Sequence, residues 1–238
     1  MNALKKSLHF SFTFIALAVA NVSAAEQFSG NVALVSDYAF RGFTQTDGDA
    51  AIQGGFDVAH NNGIYAGVWA SNVESDPSAP VNYSGANLEA DIYAGWSKSF
   101  DQFSLDVGVL RYQYPDTSID ENNTDEYHIG AEYDFQFASA ALTLHYSPDY
   151  FGAEKAVYWD FTGEVPLSKN LTFTAHYGAT NYSDDIQGDD YNDWRFGIAT
   201  EWGGFGFSLA YVDISGVAAG CDSNTCDGRT IVGISRSL

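Results

Sequence analysis

Basic side chains are scarce: the chain carries 10 Lys and Arg against 31 Asp and Glu, a formal net charge of −21. Such a surface repels nucleic acid, so that class of partner is excluded. Cysteine occurs only twice, too few for a disulfide-stapled scaffold. No Pro/Gly/Ser-rich linker and no shift in composition divides the chain, which argues for one folded domain. Long apolar runs are absent beyond the first twenty residues, so no later segment is suited to cross a membrane as a helix. Helical spacing of apolar residues is also hard to find.

The N-terminus does hold a short apolar run. Lys5 and Lys6 precede Phe10 to Ala20, which is too short for a spanning helix and reads as the core of a signal peptide. Val22-Ser23-Ala24 satisfies the small-x-small cleavage rule, with Ser23-Ala24-Ala25 as the alternative. The expected division is therefore residues 1–24 as a cleaved leader and 25–238 as the mature domain. Loss of Lys5 and Lys6 takes the formal charge from −21 to −23.

What the sequence has in abundance is aromatic residues, 16% of the chain, while Met occurs once and Pro five times. The aromatics recur in short segments that alternate with polar residues, the period-two signature of β-strands. From Phe28 to Arg41 the even positions Phe28, Val32, Leu34, Tyr38 and Phe40 are apolar, with Asp37 and Arg41 opposite. Ile52, Phe56 and Val58 oppose Asp57; Leu88, Ile92 and Trp96 oppose Glu89, Asp91 and Tyr93. Val107 and Val109 oppose Asp106, and Tyr127 to Phe137 alternates without a fault with Glu126, His128, Glu132 and Asp134. Trp159 and Phe161 oppose Asp160, and Phe196 and Ile198 oppose Asp193 and Arg195. For the strand after Asn62-Gly63, a two-residue turn there pairs Asn61 with Ile64 and points Tyr65 and Trp69 outward.

Connections after the even strands are short: Asn62-Gly63, Lys98 to Gln102, Ala138-Ser139, Ser168 to Asn170 and Gly203-Gly204. Those after the odd strands are mostly long and acidic, such as Glu74 to Ser84, Pro115 to Asp125 and Tyr182 to Asp190. About twelve strands with short turns on one side and long loops on the other form the pattern of an outer-membrane barrel. In a soluble protein this alternation would bury carboxylates and expose rings. In lipid it is required, because rings face acyl chains, carboxylates face a hydrated lumen, and closure leaves no backbone edge in hydrocarbon. The expected fold class is thus an all-β closed antiparallel transmembrane barrel in the cell outer membrane. Its surroundings would be outer-membrane lipid, lipopolysaccharide and the barrel-assembly machinery. Tyr38, Trp69, Trp96, Trp194 and Trp202 suit interfacial girdles.

The segments Gly30 to Gly42 (GNVALVSDYAFRG), Thr44-Gln45-Thr46, Gln53 to Asp57 (QGGFD), Gly63 to Val73 (GIYAGVWASNV) and Tyr146 to Gly152 (YSPDYFG) resemble the TorF family of porin-like proteins from proteobacteria. That resemblance spans essentially the whole mature chain. It implies a porin-like barrel with no catalytic residues and no cofactor. One departure is the C-terminus, which ends on Leu238 where outer-membrane proteins usually end on an aromatic residue.

Site chemistry follows from the inner face. Lumen-lining positions are Asp37, Arg41, Asp57, Glu89, Asp91, Asp106, Glu132, Asp160, Asp193 and Arg195, a wall of predominantly negative sign. Cys221 and Cys226 enclose a short segment of the final long loop, and in an exported protein they favour a disulfide over a metal site. The acidic loops lack EF-hand spacing and read as solvated. His145 and Ser147 share a face, like the His-x-Ser element of outer-membrane lipid hydrolases, but that face is the lumen. Three functions are in competition. A diffusion porin for small hydrophilic solutes, favouring cations or neutral and zwitterionic ones, fits best; the others are a plugged structural or adhesive barrel, and a lipid hydrolase using His145 and Ser147.

Overall fold

A computed structural model describes residues 26–74, 86–115, 123–152, 155–183, 190–216 and 223–238. The leader therefore lies outside the described residues, as do Cys221 and much of the acidic loops. The strands are β1 (Glu26–Val35), β2 (Ala39–Phe40), β3 (Phe43–Thr44), β4 (Ala51–His60), β5 (Ile64–Asn72), β6 (Leu88–Phe100) and β7 (Phe103–Gln113). They continue as β8 (Thr124–Asp134), β9 (Ser139–Ser147), β10 (Ala156–Pro166), β11 (Leu171–Tyr182), β12 (Tyr191–Trp202), β13 (Phe205–Ser215) and β14 (Arg229–Ser237), with one helical turn, α1 (Ser223–Cys226), before the last.

Among these, β1 and β4 to β14 form a closed antiparallel barrel of twelve strands, while β2 and β3 pair separately. Closure joins β1 to β14, with Val32 opposite Arg236 and Leu34 opposite Ile234. Every other neighbour in the barrel is also a neighbour in the sequence of barrel strands, so the wall is an up-and-down meander with no crossover connection.

The two faces are inverted relative to a soluble protein. Phe28 is 79% exposed and Phe56 67%, whereas Glu89 is 2%, Asp91 1% and Glu126 1% exposed. Ile92, Ile129, Trp159, Phe161, Phe196 and Leu209 share the outer face, where hydrocarbon takes the place of water.

Three expectations are corrected. The connection at Asn61 to Gly63 is a three-residue turn, closed by a Gly63 N–H bond to the His60 carbonyl at 2.9 Å. Ala59 consequently pairs with Tyr65. The one-residue change of register exchanges the faces of β5, so Ile64 and Val68 face outward and Tyr65 is buried inside. Trp69 follows Tyr65 inward, where its ring meets that of Tyr38 at 5.7 Å. The first strand ends at Val35; beyond it the chain turns into the barrel, so Tyr38 is buried and Phe40 packs on the interior rings. Finally, β8 ends at Asp134, and Phe135 to Ala138 form the turn, closed by a Phe135 N–H bond to Ala138 O. The exposed Phe135 and Phe137 lie on this turn rather than on a strand.

Large inward rings need room on the neighbouring strand. A Cβ placed on Gly95 would fall 2.5 Å from the Cζ of Tyr65. Glycine on β6 thereby lets the Tyr65 ring lie flat against the wall.

Candidate functional site in the barrel interior

The segment between β1 and β4 folds into the lumen at the long-loop end as a small hairpin. Its base is tied by Asp37, whose carboxylate accepts from the Thr44 hydroxyl at 2.5 Å, the Thr46 hydroxyl at 3.0 Å and Arg229 Nη1 at 2.8 Å. The Tyr38 N–H donates to Thr46 Oγ1 at 3.1 Å, and the Gln45 N–H to the Tyr38 carbonyl at 2.6 Å. At the tip, Arg41 has φ 46° and Gly42 φ 89°, the left-handed pair of a tight primed turn. A side chain at Gly42 would also collide with Ile214, so this glycine is needed for space as well as for φ. Holding an arginine in the left-handed region costs about 1 kcal/mol, and the contacts of its side chain offset that strain.

Arg41 reaches across to the far wall. Its Nη2 lies 2.6 Å from Glu126 Oε2 on β8, with both side chains nearly inaccessible. The guanidinium sits 4.0 Å from the Tyr158 ring centroid on β10 and 4.9 Å from Phe40, so aromatic faces supply further cation attraction. Burial alone would lower the pKa of this guanidinium. The Glu126 carboxylate, with Tyr150, Tyr112 and Tyr158, overcomes that and holds it well above its ordinary value.

The rest of the hairpin is equally well seated. Phe43 packs edge-on to Tyr191 of β12 at 4.9 Å, and Phe40 meets Tyr112 of β7 at 5.6 Å. The Tyr38 hydroxyl donates to Glu89 on β6 at 3.0 Å.

Beyond the tip, inward carboxylates are held by imidazole and phenol donors. Asp57 accepts from the Tyr93 hydroxyl, and Asp106 bonds His128 and the Tyr65 hydroxyl. His145 Nδ1 lies 2.8 Å from Glu126 Oε1. His176 bridges two carboxylates, with Nε2 at 2.9 Å from Asp193 and Nδ1 at 3.3 Å from Asp160. Tyr158 donates to Asp193 at 3.1 Å.

Of the positions expected on the lumen, Asp37, Arg41, Glu89, Asp91, Asp160 and Asp193 are buried in the interior. Asp57 and Asp106 point inward to the partners just given, and Arg195 stands opposite His176 in the β11–β12 register. Glu132 is half-buried near the short-turn end, opposite Ser104 and Ala141. The structure gathers Arg41, Glu126, His145 and Tyr158 into one cluster, which strand alternation alone does not reveal. The missed contributors are the donors, chiefly Tyr38, Tyr65, His128 and His176, and the partnership of His145 with Glu126. For His128, His145 and His176 the parity along each strand already pointed inward.

His145 and Ser147 both address Glu126 on the inner face, the serine hydroxyl from 3.4 Å, and Ser147 is buried. This orientation turns them away from outer-membrane lipid. Among the described residues no group of three or more His, Cys, Asp or Glu is arranged to hold a metal ion.

A closed twelve-strand wall with an apolar exterior and a charged interior defines an outer-membrane β-barrel of the porin type. Solved structures agree with that fold. A KdgM porin superposes with a TM-score of 0.60 at 11% identity, covering 88% of this chain and 99% of the porin. NanC porin gives 0.57 at 13% identity, covering 89% and 100%. The COG4313 outer membrane channel from Pseudomonas putida F1 gives 0.50 at 9% identity, covering 92% and 100%. Among curated proteins none matches the sequence. The chain belongs to the family described as "Bacterial protein of unknown function (Gcw_chp)", whose model matches residues 19–232.

Proposed function

We propose that this protein is a passive diffusion channel for small hydrophilic solutes that favours cations, neutral and zwitterionic molecules over anions, with the β2–β3 hairpin as its constriction. The sign of the inner wall carries the reading: Glu89, Asp91, Asp160 and Asp193 lie in the interior, while Arg41 is taken up by Glu126 and Arg229 by Asp37. A narrow path lined by one sign of charge inside a low-dielectric wall concentrates counter-ions. One KdgM porin structure is a complex with disordered oligogalacturonate, at a TM-score of 0.59 and 10% identity. That solute is a chain of acidic sugars, and the interior here carries the opposite preference, so a shared fold does not carry the solute with it. The reading includes export by the 1–24 leader, insertion by the barrel-assembly machinery, and the likeness to TorF-type porins.

A reversal potential across a salt gradient at neutral pH, measured with refolded protein in a planar bilayer, tests the selectivity. Cation preference that weakens at high salt, where screening is strong, is the expected result; anion preference sinks the proposal.

The plugged structural barrel is the second reading, and the buried Arg41–Glu126 pair favours it. Absence of conductance from both the native protein and Arg41→Ala would establish that reading over the channel.

A further inference from the structure

Asp91 stands apart from the other inward carboxylates. It is 1% exposed, yet neither carboxylate oxygen has a hydrogen-bond partner among the described residues. The nearby donors are already engaged. Tyr38 and Tyr114 give their hydroxyls to Glu89, at 3.0 and 3.2 Å. Arg41 is held by Glu126, and Arg229 by Asp37. Glu89, two residues along the same face of β6, adds a second negative charge in the same enclosure, and a buried charge left uncompensated is strongly unfavourable.

The register supplies the walls. Directly opposite Asp91 stand Trp69 on β5 and Tyr112 on β7. The Trp69 ring abuts Tyr38, and the Tyr112 ring abuts Phe40. Carboxylates bordered by aromatic rings form the chemistry that recognises an ammonium group, by charge-assisted hydrogen bonds and attraction to ring faces. The described residues hold no metal-type cluster, which directs the site towards a monocation with N–H donors or a weakly hydrated ion of the same size.

We propose that Asp91, with Glu89 beside it and Trp69 and Tyr112 as walls, binds an ammonium-sized monocation. The cation is either a free ion or the amino group of a solute. In a conducting barrel this is a binding step on the solute's path, a role that rests on the channel reading above; the binding itself does not.

The test uses the full mature chain folded in detergent micelles, titrated with methylammonium chloride or potassium chloride. Total chloride is held constant with lithium, whose tightly held hydration shell keeps it from pairing closely with a carboxylate between aromatic rings. Tryptophan fluorescence and the thermal unfolding midpoint are read together. The native protein should show a saturable rise in midpoint. Asp91→Asn should raise the ligand-free midpoint and weaken half-saturation by about tenfold or more, as expected for loss of a charge-assisted bond. Saturation by methylammonium alone assigns the site to an amino group; saturation by both salts assigns it to monocations in general.

A native response that never saturates, or one that Asp91→Asn leaves unchanged, overturns the proposal and means that a proton or water satisfies the carboxyl group instead. Should Asp91→Asn not fold, the native titration against lithium still decides. Conductance of the same preparation is read separately. A conducting protein without saturable binding overturns the site and spares the channel. Saturable binding in a protein that never conducts spares the site and overturns the channel.

Discussion

Replacing Arg41 by Ala tests whether the hairpin is latched across the lumen. The substitution removes a 2.6 Å ion pair in which both side chains are nearly inaccessible, and it strips the Tyr158 face of its cation at 4.0 Å. Removing one partner of a buried pair costs roughly 3–5 kcal/mol because the other charge is left uncompensated. Here Glu126 keeps His145 at 2.8 Å and weaker contacts from Tyr112 and Ser147, so the low end, about 3 kcal/mol, is the better estimate. At 1.4 kcal/mol per decade, the undocked hairpin should become roughly a hundredfold more populated.

Single-channel recording of Arg41→Ala in a planar bilayer should then show frequent openings that are rare in the native protein. The double variant Arg41→Ala with Glu126→Gln should be less destabilised than the sum of the two single changes, since each removes the same interaction. An opening frequency and an unfolding midpoint both equal to the native values would refute the latch, and additive effects would show that Arg41 does not act through Glu126.

The remaining predictions address the wall and the final loop. Gly95→Ala should lower stability by about 1–3 kcal/mol by forcing the Tyr65 ring off the wall, seen as a lower urea midpoint in lipid vesicles; adding Tyr65→Leu should recover part of the loss, and no recovery would point to the backbone instead. Ile129→Arg, at an exposed position midway along β8, should cost about 2–4 kcal/mol in vesicles, while a cost near zero would place Ile129 off the lipid face. Cys221 and Cys226 should resist a maleimide until reduced, as expected for a pair formed in an oxidising compartment. Labelling of freshly purified protein without reductant would remove the proposed disulfide.

Period-two alternation of rings and carboxylates made the barrel, its strand number and most of its inner face legible from the residues alone. In lipid each outward ring and inward carboxylate answers to the same physical demand, repeated strand after strand. Glu89, Asp91 and Tyr93 on β6 and Tyr158 and Asp160 on β10 lie inside, as their parity requires. Parity is local, and a single turn can reverse it. One extra residue in the turn at Asn61 to Gly63 exchanged the faces of β5 and carried Tyr65 and Trp69 inward. The hairpin lay further out of reach, because Phe28 to Phe40 alternates as one strand would, and nothing local says that the chain leaves the wall after Val35. That decision comes from partners distant in sequence: Glu126 for Arg41, Arg229 for Asp37 and Tyr191 for Phe43. Only closure of the barrel brings them together around an interior where a buried charge must find its counter-charge.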